Sequence, residues 1–374
     1  MPSSLDGLPQ LAAFLDGAPM RWPDLGIDEP SLLELCKAED LSALCFYRVS
    51  RSPSIDDWPA SLRNALSVTA RLQTAKELLR ATETRAVLDA LARAGVRAIL
   101  IKGTPLAYTV YEAPALRARD DTDLFVAESD IPTARQVMAS LGYAATVLCH
   151  DLFSQFEVQK VDRFGVCHAF DVHWRISTQP VFADVLTYQE MLARTVAVPA
   201  LGPSAIAPHA ADALLLSCIH PVMHHQNTER LLWTYDTHLL ASRLTPAEFD
   251  EFVRCATRKK VAAVCAHALR LAQTLFRTAV PADVIRELSI ATDEPSAGYL
   301  ASQRRWHHEL ASSLRGMPRF ADRVKLMRDV LLPSPDYMLG AYGLRGKPLA
   351  PWLLPALYVH RNVRGAWKIL TGKK

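Results

Sequence analysis

The chain has 374 residues, of which 50% are apolar and 22% are charged. This composition is typical of a folded protein with one large domain or two to three smaller ones, and it excludes a largely disordered chain. The net charge of +3 is unevenly distributed. Residues 337–374 contain seven Lys and Arg residues and no acidic residue, so residues 1–336 carry a net charge of −4. A body of this charge lacks the basic surface of a general nucleic-acid-binding protein.

The cysteines, the N-terminal residues and the apolar runs exclude further classes of protein. The seven cysteines include no C-x-x-C pair, which argues against a disulfide framework and a zinc ribbon. The N-terminal residues lack the basic and apolar segments of a secretory signal. No uncharged apolar run approaches the ~20 residues needed to span a bilayer. We therefore expect a cytoplasmic protein with reduced thiols.

Hydrophobic periodicity divides the chain into four regions. Residues 1–94 are an irregular lead-in up to residue 30, followed by helices that a loop at 51–59 interrupts. Residues 95–207 form the α/β core, residues 208–336 are helical again, and residues 337–374 form the basic tail. The predicted fold class is α+β, a small mixed β-sheet core flanked by N-terminal and C-terminal helical regions.

Strands and helices are predicted to alternate within the core region. The predicted elements are a strand at 96–101, a helix from Pro105, a strand at 120–126, a helix at 131–141 that Gly142 ends, and a hairpin of strands 156–161 and 166–174.

An acidic pair lies in the second predicted strand, where Asp121 and Asp123 flank Thr122. Residues i and i+2 of a strand point to the same face, so both carboxylates converge on one side. Their repulsion raises one pKa unless a cation lies between them. Carboxylates and substrate phosphates together suit Mg²⁺. On its own, the pattern also fits an acidic strand edge or a turn.

A short polar sequence, Lys102-Gly103-Thr104, follows the first predicted strand. Glycine lets the backbone approach a ligand closely. The Lys102 ammonium group and the Thr104 hydroxyl are both suited to phosphate. The sequence has no Walker A motif, and a simple strand-to-helix turn is the alternative interpretation.

The hairpin ends with Phe170-Asp171-Val172-His173-Trp174. An acid between apolar neighbours is costly to bury unless it is paired or bound to a metal. Asp171 is therefore a candidate third metal ligand, or the base for an attacking hydroxyl. An ion pair with Arg175 is the alternative.

In this order, the three sequences resemble the DNA polymerase β-like nucleotidyltransferase superfamily, and more narrowly a bacterial family of uncharacterised nucleotidyltransferases. The resemblance covers roughly residues 30–260 and is closest over 95–176. The residues that match the family pattern are Lys102, Gly103, Leu106, Tyr111, Arg117, Asp121, Asp123, Leu124, Gly142, Tyr143, Asp171, His173 and Trp174.

The resemblance implies transfer of NMP from an NTP to a hydroxyl acceptor with two Mg²⁺ ions, or Mn²⁺ in their place. The residues that it assigns to the metals and to catalysis are Asp121, Asp123 and Asp171, and those that it assigns to the nucleotide phosphates are Lys102, Gly103, Thr104 and Arg117. The wider superfamily has Gly-Ser where this chain has Lys-Gly-Thr. A nucleotide-binding module that has lost catalysis is therefore the alternative.

A later helical segment adds polar side chains that are candidate helpers of the same site. Together with His173, these helpers are His220, His224, Arg230 and Asp236. His220 and His224 have the i, i+4 spacing of zinc ligands, but Pro221 stands where a zinc protease needs Glu. An ordinary polar helix face is the alternative.

The basic tail has an amphipathic pattern. If it is helical, its apolar face is Val359, Val363, Ala366, Trp367 and Leu370, and its basic face is Arg361, Arg364 and Lys368. Such a helix binds an anionic membrane surface or an acidic partner. We therefore expect either a cytoplasmic protein or one bound peripherally to the inner membrane face, acting in membrane association or assembly. In the alternative, Trp352, Leu353, Leu357 and Trp367 pack onto the domain.

Overall fold

The computed structural model describes residues 8–145, 154–290, 294–301, 310–311, 314, 319–333, 335–344, 350 and 352–371. Its helices are α1 (Leu8–Leu15), α2 (Glu29–Ala38), α3 (Ser42–Ser50), α4 (Ala60–Arg93), α5 (Gly103–Thr109), α6 (Ile131–Ser140), α7 (Pro180–Ala183), α8 (Tyr188–Leu192), α9 (Ala210–His224), α10 (Leu231–Ala241), α11 (Pro246–Arg258), α12 (Ala262–Phe276), α13 (Ala282–Leu288), α14 (Phe320–Leu331), α15 (Pro335–Ala341) and α16 (Leu353–Thr371). Its strands are β1 (Ile99–Ile101), β2 (Asp121–Phe125), β3 (Ala144–Ala145), β4 (Gln155–Val161), β5 (Cys167–His173), β6 (Val196–Ala197) and β7 (Ile206–Ala207).

The strands form one mixed sheet in the order β3-β4-β5-β2-β1-β7-β6. Strand β2 lies at its centre, antiparallel to β1 and parallel to β5. The predicted hairpin is the antiparallel pair β4–β5. The architecture is therefore the predicted mixed sheet with helical regions before and after it. Strands β6 and β7 have two residues each, too few for the sequence pattern to indicate a strand.

Alternate residues of the central strands face two different hydrophobic cores. On one face, Ile99, Ile101 and Phe125 join a cluster that also contains residues of the N-terminal helices and of α9 to α13. On the other face, Leu100 and Leu124 pack with residues of α4 and α6. The first face therefore lies towards the helices that follow the core in the chain.

Two predicted boundaries differ from the structure. The sequence prediction places residues 1–30 in an irregular segment, but α1 buries Leu11, Phe14 and Leu15. Strand β1 begins at Ile99 and not at 96, because the Val96 N–H group donates to the Leu91 carbonyl and closes helix α4. Residues 61–94, for which the sequence allows one long helix or two short ones, lie almost entirely in the single 34-residue helix α4.

None of the described helices is both long enough and apolar enough to cross a membrane. The division into four regions is a prediction that the fold does not test.

A buried ion pair connects the long helix α4 to the start of β2. Arg119 Nη2 donates to Glu77 Oε1 over 2.8 Å, and both side chains are almost fully buried. Arg119 Nη1 donates to the Thr122 hydroxyl over 2.8 Å and to the Asp121 carbonyl over 3.1 Å. Glu77 also accepts from the Tyr108 hydroxyl over 2.6 Å. This network fixes the backbone that carries the acidic pair.

We expect Arg119→Met to lower the free energy of unfolding by about 3–5 kcal/mol, because it removes the ion-pair partner of the buried Glu77 carboxylate. Denaturant titration followed by circular dichroism measures the loss. The Glu77→Gln/Arg119→Met double variant is the matched control, since it removes both charges and should recover part of the stability. A loss below about 1 kcal/mol in the single variant, the size typical of an exposed pair, would contradict this role.

Candidate active site

Three carboxylates converge on one face of the sheet at the junction of β2 and β5. Asp121 and Asp123 are two residues apart in β2, and Asp123 lies directly opposite Asp171 in the parallel pair β2–β5. His173, opposite Phe125, shares this face. The strand alternation that predicted two converging carboxylates therefore also brings in the third.

Asp123 is the centre of this cluster. Lys102 Nζ donates to Asp123 Oδ1 over 2.6 Å, and His173 Nε2 lies 2.8 Å from the same oxygen. Asp123 and His173 are 5% and 1% exposed. A carboxylate only accepts, so His173 carries its proton on Nε2 and donates it to Asp123. A lysine and a neutral histidine thus satisfy one buried carboxylate.

The three carboxyl groups are driven to different ionisation states. Burial alone would raise the pKa of Asp123, but the Lys102 charge and the His173 hydrogen bond outweigh it and lower that pKa below its ordinary value. Burial, and then the charges of Asp123 and Asp121, raise the pKa of Asp171 to about 7. The Asp123 charge, and then burial, raise the pKa of Asp121 to about 6. Lys102 alone therefore does not neutralise the cluster.

The backbone at Lys102 brings its side chain to this point. Lys102 has φ 57° and ψ −132°, a conformation that costs a residue with a Cβ atom about 1–3 kcal/mol. The strain occurs where β1 turns into α5. At the next residue, Gly103, a Cβ atom would lie 3.3 Å from Cζ of Arg117, so a side chain there would require the Arg117 guanidinium group to shift. This turn therefore holds its backbone against a buried guanidinium group.

Arg117 is paired with one of the predicted helpers. Its Nη2 donates to Asp236 Oδ2 over 2.7 Å and its Nε to Asp236 Oδ1 over 2.9 Å. The Tyr111 hydroxyl donates to Asp236 Oδ1 over 2.7 Å. Burial by itself lowers the pKa of Arg117, but the Asp236 charge outweighs it and raises that pKa. The Arg117 charge, which the sequence predicts at the phosphates, is thus balanced by Asp236 of helix α10.

A cavity of about 660 Å³ opens over the carboxylates, with walls from α5, α9 and α10. The predicted site residues that line it are Lys102, Gly103, Arg117, Asp121, Asp123, Asp171, His220, His224, Arg230 and Asp236. Two predicted residues are not on this wall. Thr104 is 2% exposed, and His173 lies behind Asp123.

The predicted histidine helix carries a larger aromatic cluster than the sequence indicated. The His220 ring lies edge-on to Trp233, with centroids 5.2 Å apart, and His225 lies 4.4 Å from the same indole. Burial, and then the Lys102 charge, lower the pKa of His224 to about 3. Burial also lowers the pKa of His220 and His225. These imidazoles are therefore neutral at pH 7, and His224 lies 3.1 Å from the Ile176 carbonyl.

The remaining helper, Arg230, points to the N-terminal helices. Its Nη2 donates to Asp40 Oδ2 over 2.9 Å and to the Ala38 carbonyl over 2.8 Å. Trp233, His225 and Arg119 belong to no motif of the sequence, and only folding places them on the cavity wall. Glu77, the partner of Arg119, likewise lies in no motif.

The donor set fits a divalent cation. Ligand atoms of Asp123, Asp171 and His173 all lie within 4.8 Å of one another, and Asp121 projects from the same strand face. The Asp123 charge raises the pKa of Asp121, and the charges of Asp123 and Asp121 add to burial in raising the pKa of Asp171, so a cation here would relieve the repulsion. Carboxylate oxygens dominate this set and suit Mg²⁺ or Mn²⁺. Asp121, Asp123 and Asp171 are the residues that would hold such an ion.

The pKa of Asp171 makes stability depend on pH and on metal. Its pKa rises on folding from an ordinary 3.8 to about 7, so the folded chain binds this proton more tightly and loses that advantage as the pH rises from 4 to 7. We expect Asp171→Asn to raise the free energy of unfolding of the metal-free protein at pH 8 by on the order of 2 kcal/mol. The two proteins should match at pH 4.

Thermal unfolding at both pH values, with and without Mg²⁺ or Mn²⁺, measures this effect. The cation should stabilise the wild-type protein more than Asp171→Asn. Asp250→Asn, at an exposed position of α11, is the control and should change neither response. A destabilised Asp171→Asn protein at pH 8 would contradict an excess of negative charge at the site.

The comparisons with known proteins agree with this geometry. A search of curated proteins finds no match to the chain. A family model described as "Uncharacterised nucleotidyltransferase" matches residues 26–277, a range that includes the sheet, the three carboxylates and helices α9 and α10. The chain therefore belongs to this family of uncharacterised nucleotidyltransferases.

Proposed function

We propose that the protein is a Mg²⁺-dependent nucleotidyltransferase that moves NMP from an NTP to a hydroxyl group of an acceptor. One observation carries the proposal, the convergence of Asp121, Asp123 and Asp171 on the floor of one cavity. Family membership supports the reaction class. Two divalent ions bound here would stabilise the entering and leaving oxygens of an in-line displacement.

The three carboxylates would have different roles. Asp123, whose pKa is lowered by Lys102 and His173, would hold metal in its ionised form together with Asp121. Asp171, directly opposite Asp123 in the pair β2–β5, would complete the metal site and accept the proton of the attacking hydroxyl. The acceptor oxygen would then bond to the α-phosphorus, the bond to the β-phosphate oxygen would break, and pyrophosphate would leave. His173 holds Asp123 in position for this step.

The turn after β1 would bind the phosphates. Lys102 lines the cavity and donates to Asp123, so its ammonium group lies beside the place where the phosphates of a metal-bound NTP would be. Gly103 exposes backbone that no side chain shields, and Arg117 supports it from behind. The Thr104 side chain is buried, so only the backbone amide of Thr104 would contact a phosphate.

The acceptor is proposed to be a small molecule, or an end of a larger one, that enters the cavity. The body of the protein carries a net negative charge, which disfavours general nucleic-acid binding. Part of the cavity wall over α9 and α10 is formed by neutral histidines, Trp233 and apolar residues, a surface suited to an uncharged or aromatic group.

We expect Asp121→Asn and Asp123→Asn each to lower nucleotidyl transfer at least ~100-fold, because the charge stabilisation by bound metal is lost. The assay incubates each of the four NTPs, labelled at the α-phosphate, with Mg²⁺ and a cell lysate of the source, and follows label in products. Asp120→Asn is the matched control. Its side chain is fully exposed at the adjacent position, and its transfer should stay near the wild-type rate.

Two results would contradict the proposal. Full transfer in the Asp121→Asn/Asp123→Asn double variant would exclude the carboxylate site. Calorimetric NTP binding with no label transferred to any product would favour a binding module that has lost catalysis.

The basic tail supports a second proposal, binding to an anionic membrane surface. Helix α16 is attached to α14 through Arg361, which donates to the Val330 carbonyl over 2.7 Å. Val359 and Val363 of the same helix are exposed, and Trp352, which precedes the helix, is 69% exposed. Trp352 is therefore not packed onto the domain. An apolar stripe beside the exposed Arg364 is typical of a helix that lies in a lipid interface.

Flotation of the full chain with phosphatidylglycerol vesicles and with neutral phosphatidylcholine vesicles tests this proposal. We expect Val359→Asn/Val363→Asn and Arg364→Glu to reduce flotation with the anionic vesicles at least fivefold. Arg254→Glu, at an exposed site of α11, is the charge control. Equal flotation of all variants would exclude membrane binding through this helix. Retention of the chain on an acidic protein instead would favour an acidic partner.

A further inference from the structure

The positive charges that line the cavity are almost all balanced by carboxylates. The four balanced cations, each with its partner, are Lys102 with Asp123, Arg117 with Asp236, Arg119 with Glu77 and Arg230 with Asp40. A charge that is already paired is less available to a further anion. The fifth cation on this wall is Arg243, which follows the end of helix α10.

Arg243 has no acidic partner among the residues that the structure describes. Its Nη1 donates to the Thr109 carbonyl at the end of α5 over 2.8 Å. Glu248 is an acid on the same wall, but it is already used. It accepts from the backbone N–H and the hydroxyl of Thr245, each over 2.7 Å, and it lies 3.6 Å from His209. The Arg243 charge is therefore unmatched.

The setting leaves this guanidinium group able to bind an anion. One N–H group anchors it on a carbonyl, and a guanidinium group has four more to donate. Arg243 is an exposed residue of the cavity wall, and Val110, Leu240 and Leu244 line the same cavity. The planar guanidinium group of an arginine can donate two parallel hydrogen bonds to two oxygens of a phosphate.

The position distinguishes Arg243 from the carboxylate site. Helix α5 runs from Gly103 to Thr109, a rise of ~9 Å at 1.5 Å per residue. Gly103 is next to the carboxylates and Thr109 is next to Arg243. An NTP whose α-phosphate lies at the carboxylates would extend its other phosphates away from them.

We propose that Arg243 binds the terminal phosphates of the NTP, the part that leaves as pyrophosphate. The inference rests on the proposed function, since it takes the NTP as the ligand of this cavity. It adds a binding residue that lies in no motif of the sequence. The α10 segment would then contribute twice, through Asp236 at the middle of the helix to the phosphate turn and through Arg243, which follows the helix, to the leaving group.

Calorimetric titration of the full chain tests this, with α,β-methylene analogues of the four NTPs, with the four NMPs, and with Mg²⁺ present. We expect Arg243→Gln to weaken NTP-analogue binding about 10- to 100-fold, the range for hydrogen bonds to a charged group, and NMP binding less than twofold. Arg243→Lys should recover part of the affinity. Arg254→Gln removes an equal charge from an exposed site outside the cavity and should bind as the wild type does.

The outcomes separate the two proposals. Unchanged NTP-analogue binding in Arg243→Gln overturns the inference and leaves the proposed function standing. Equal losses for NTP analogues and NMPs, which indicate a ligand contact other than the terminal phosphates, also overturn it. If the wild-type protein binds no NTP analogue, the proposed function fails and the inference fails with it. Matching thermal unfolding of the variants shows that affinity, and not folding, has changed.

Discussion

The repulsion between three carboxylates on one sheet face is the constraint on which the site depends. Asp121, Asp123 and Asp171 cannot all be ionised in a half-buried place without positive charge beside them. Lys102 supplies one charge from a strained backbone position, and two pKa values stay raised despite it. The site is therefore suited to bind a further cation. The surrounding structure holds the three carboxylates together against their repulsion.

Buried ion pairs supply that packing. Arg119 and Glu77 fasten the start of β2 to the long helix α4, and Arg117 and Asp236 fasten the segment before β2 to helix α10. Each pair crosses between elements that are far apart in the chain. A buried pair adds little net stability compared with apolar packing, but it is costly to break and fixes one geometry. The strand that carries the acidic pair is therefore held from both sides.

The pairing of charges also explains why the parts of the cavity wall differ. Most cations of the wall are paired with carboxylates, and these ion pairs hold the surrounding backbone in place. The histidines over the carboxylates are kept neutral by burial, so they offer a polar but uncharged surface. Arg243 is the exception among the described residues, and the exposed stripe of α16 is a separate surface with its own charge.

The sequence by itself predicted the chemistry that depends on short-range geometry. Alternation along a strand placed Asp121 and Asp123 on one face, and the order of elements indicated a mixed sheet with helices before and after it. Lys102 after a strand and Asp171 between apolar neighbours were candidates from their local sequence, and the family pattern contains both. Helix α1 was missed, because eight residues next to Pro and Gly give a weak periodic signal. Strands β6 and β7 are too short to show any pattern.

Only the tertiary structure decided how the charges are paired. Arg117 was expected at the phosphates, but its partner is 119 residues later in the chain, and no local pattern relates the two. The same holds for Arg119 with Glu77, for the histidines with Trp233, and for the unpaired charge of Arg243. Spacing in a strand or helix fixes which residues share a face, because the backbone repeat is short-range. Which charge meets which across the cavity is set by the packing of α4, α9 and α10 against the sheet.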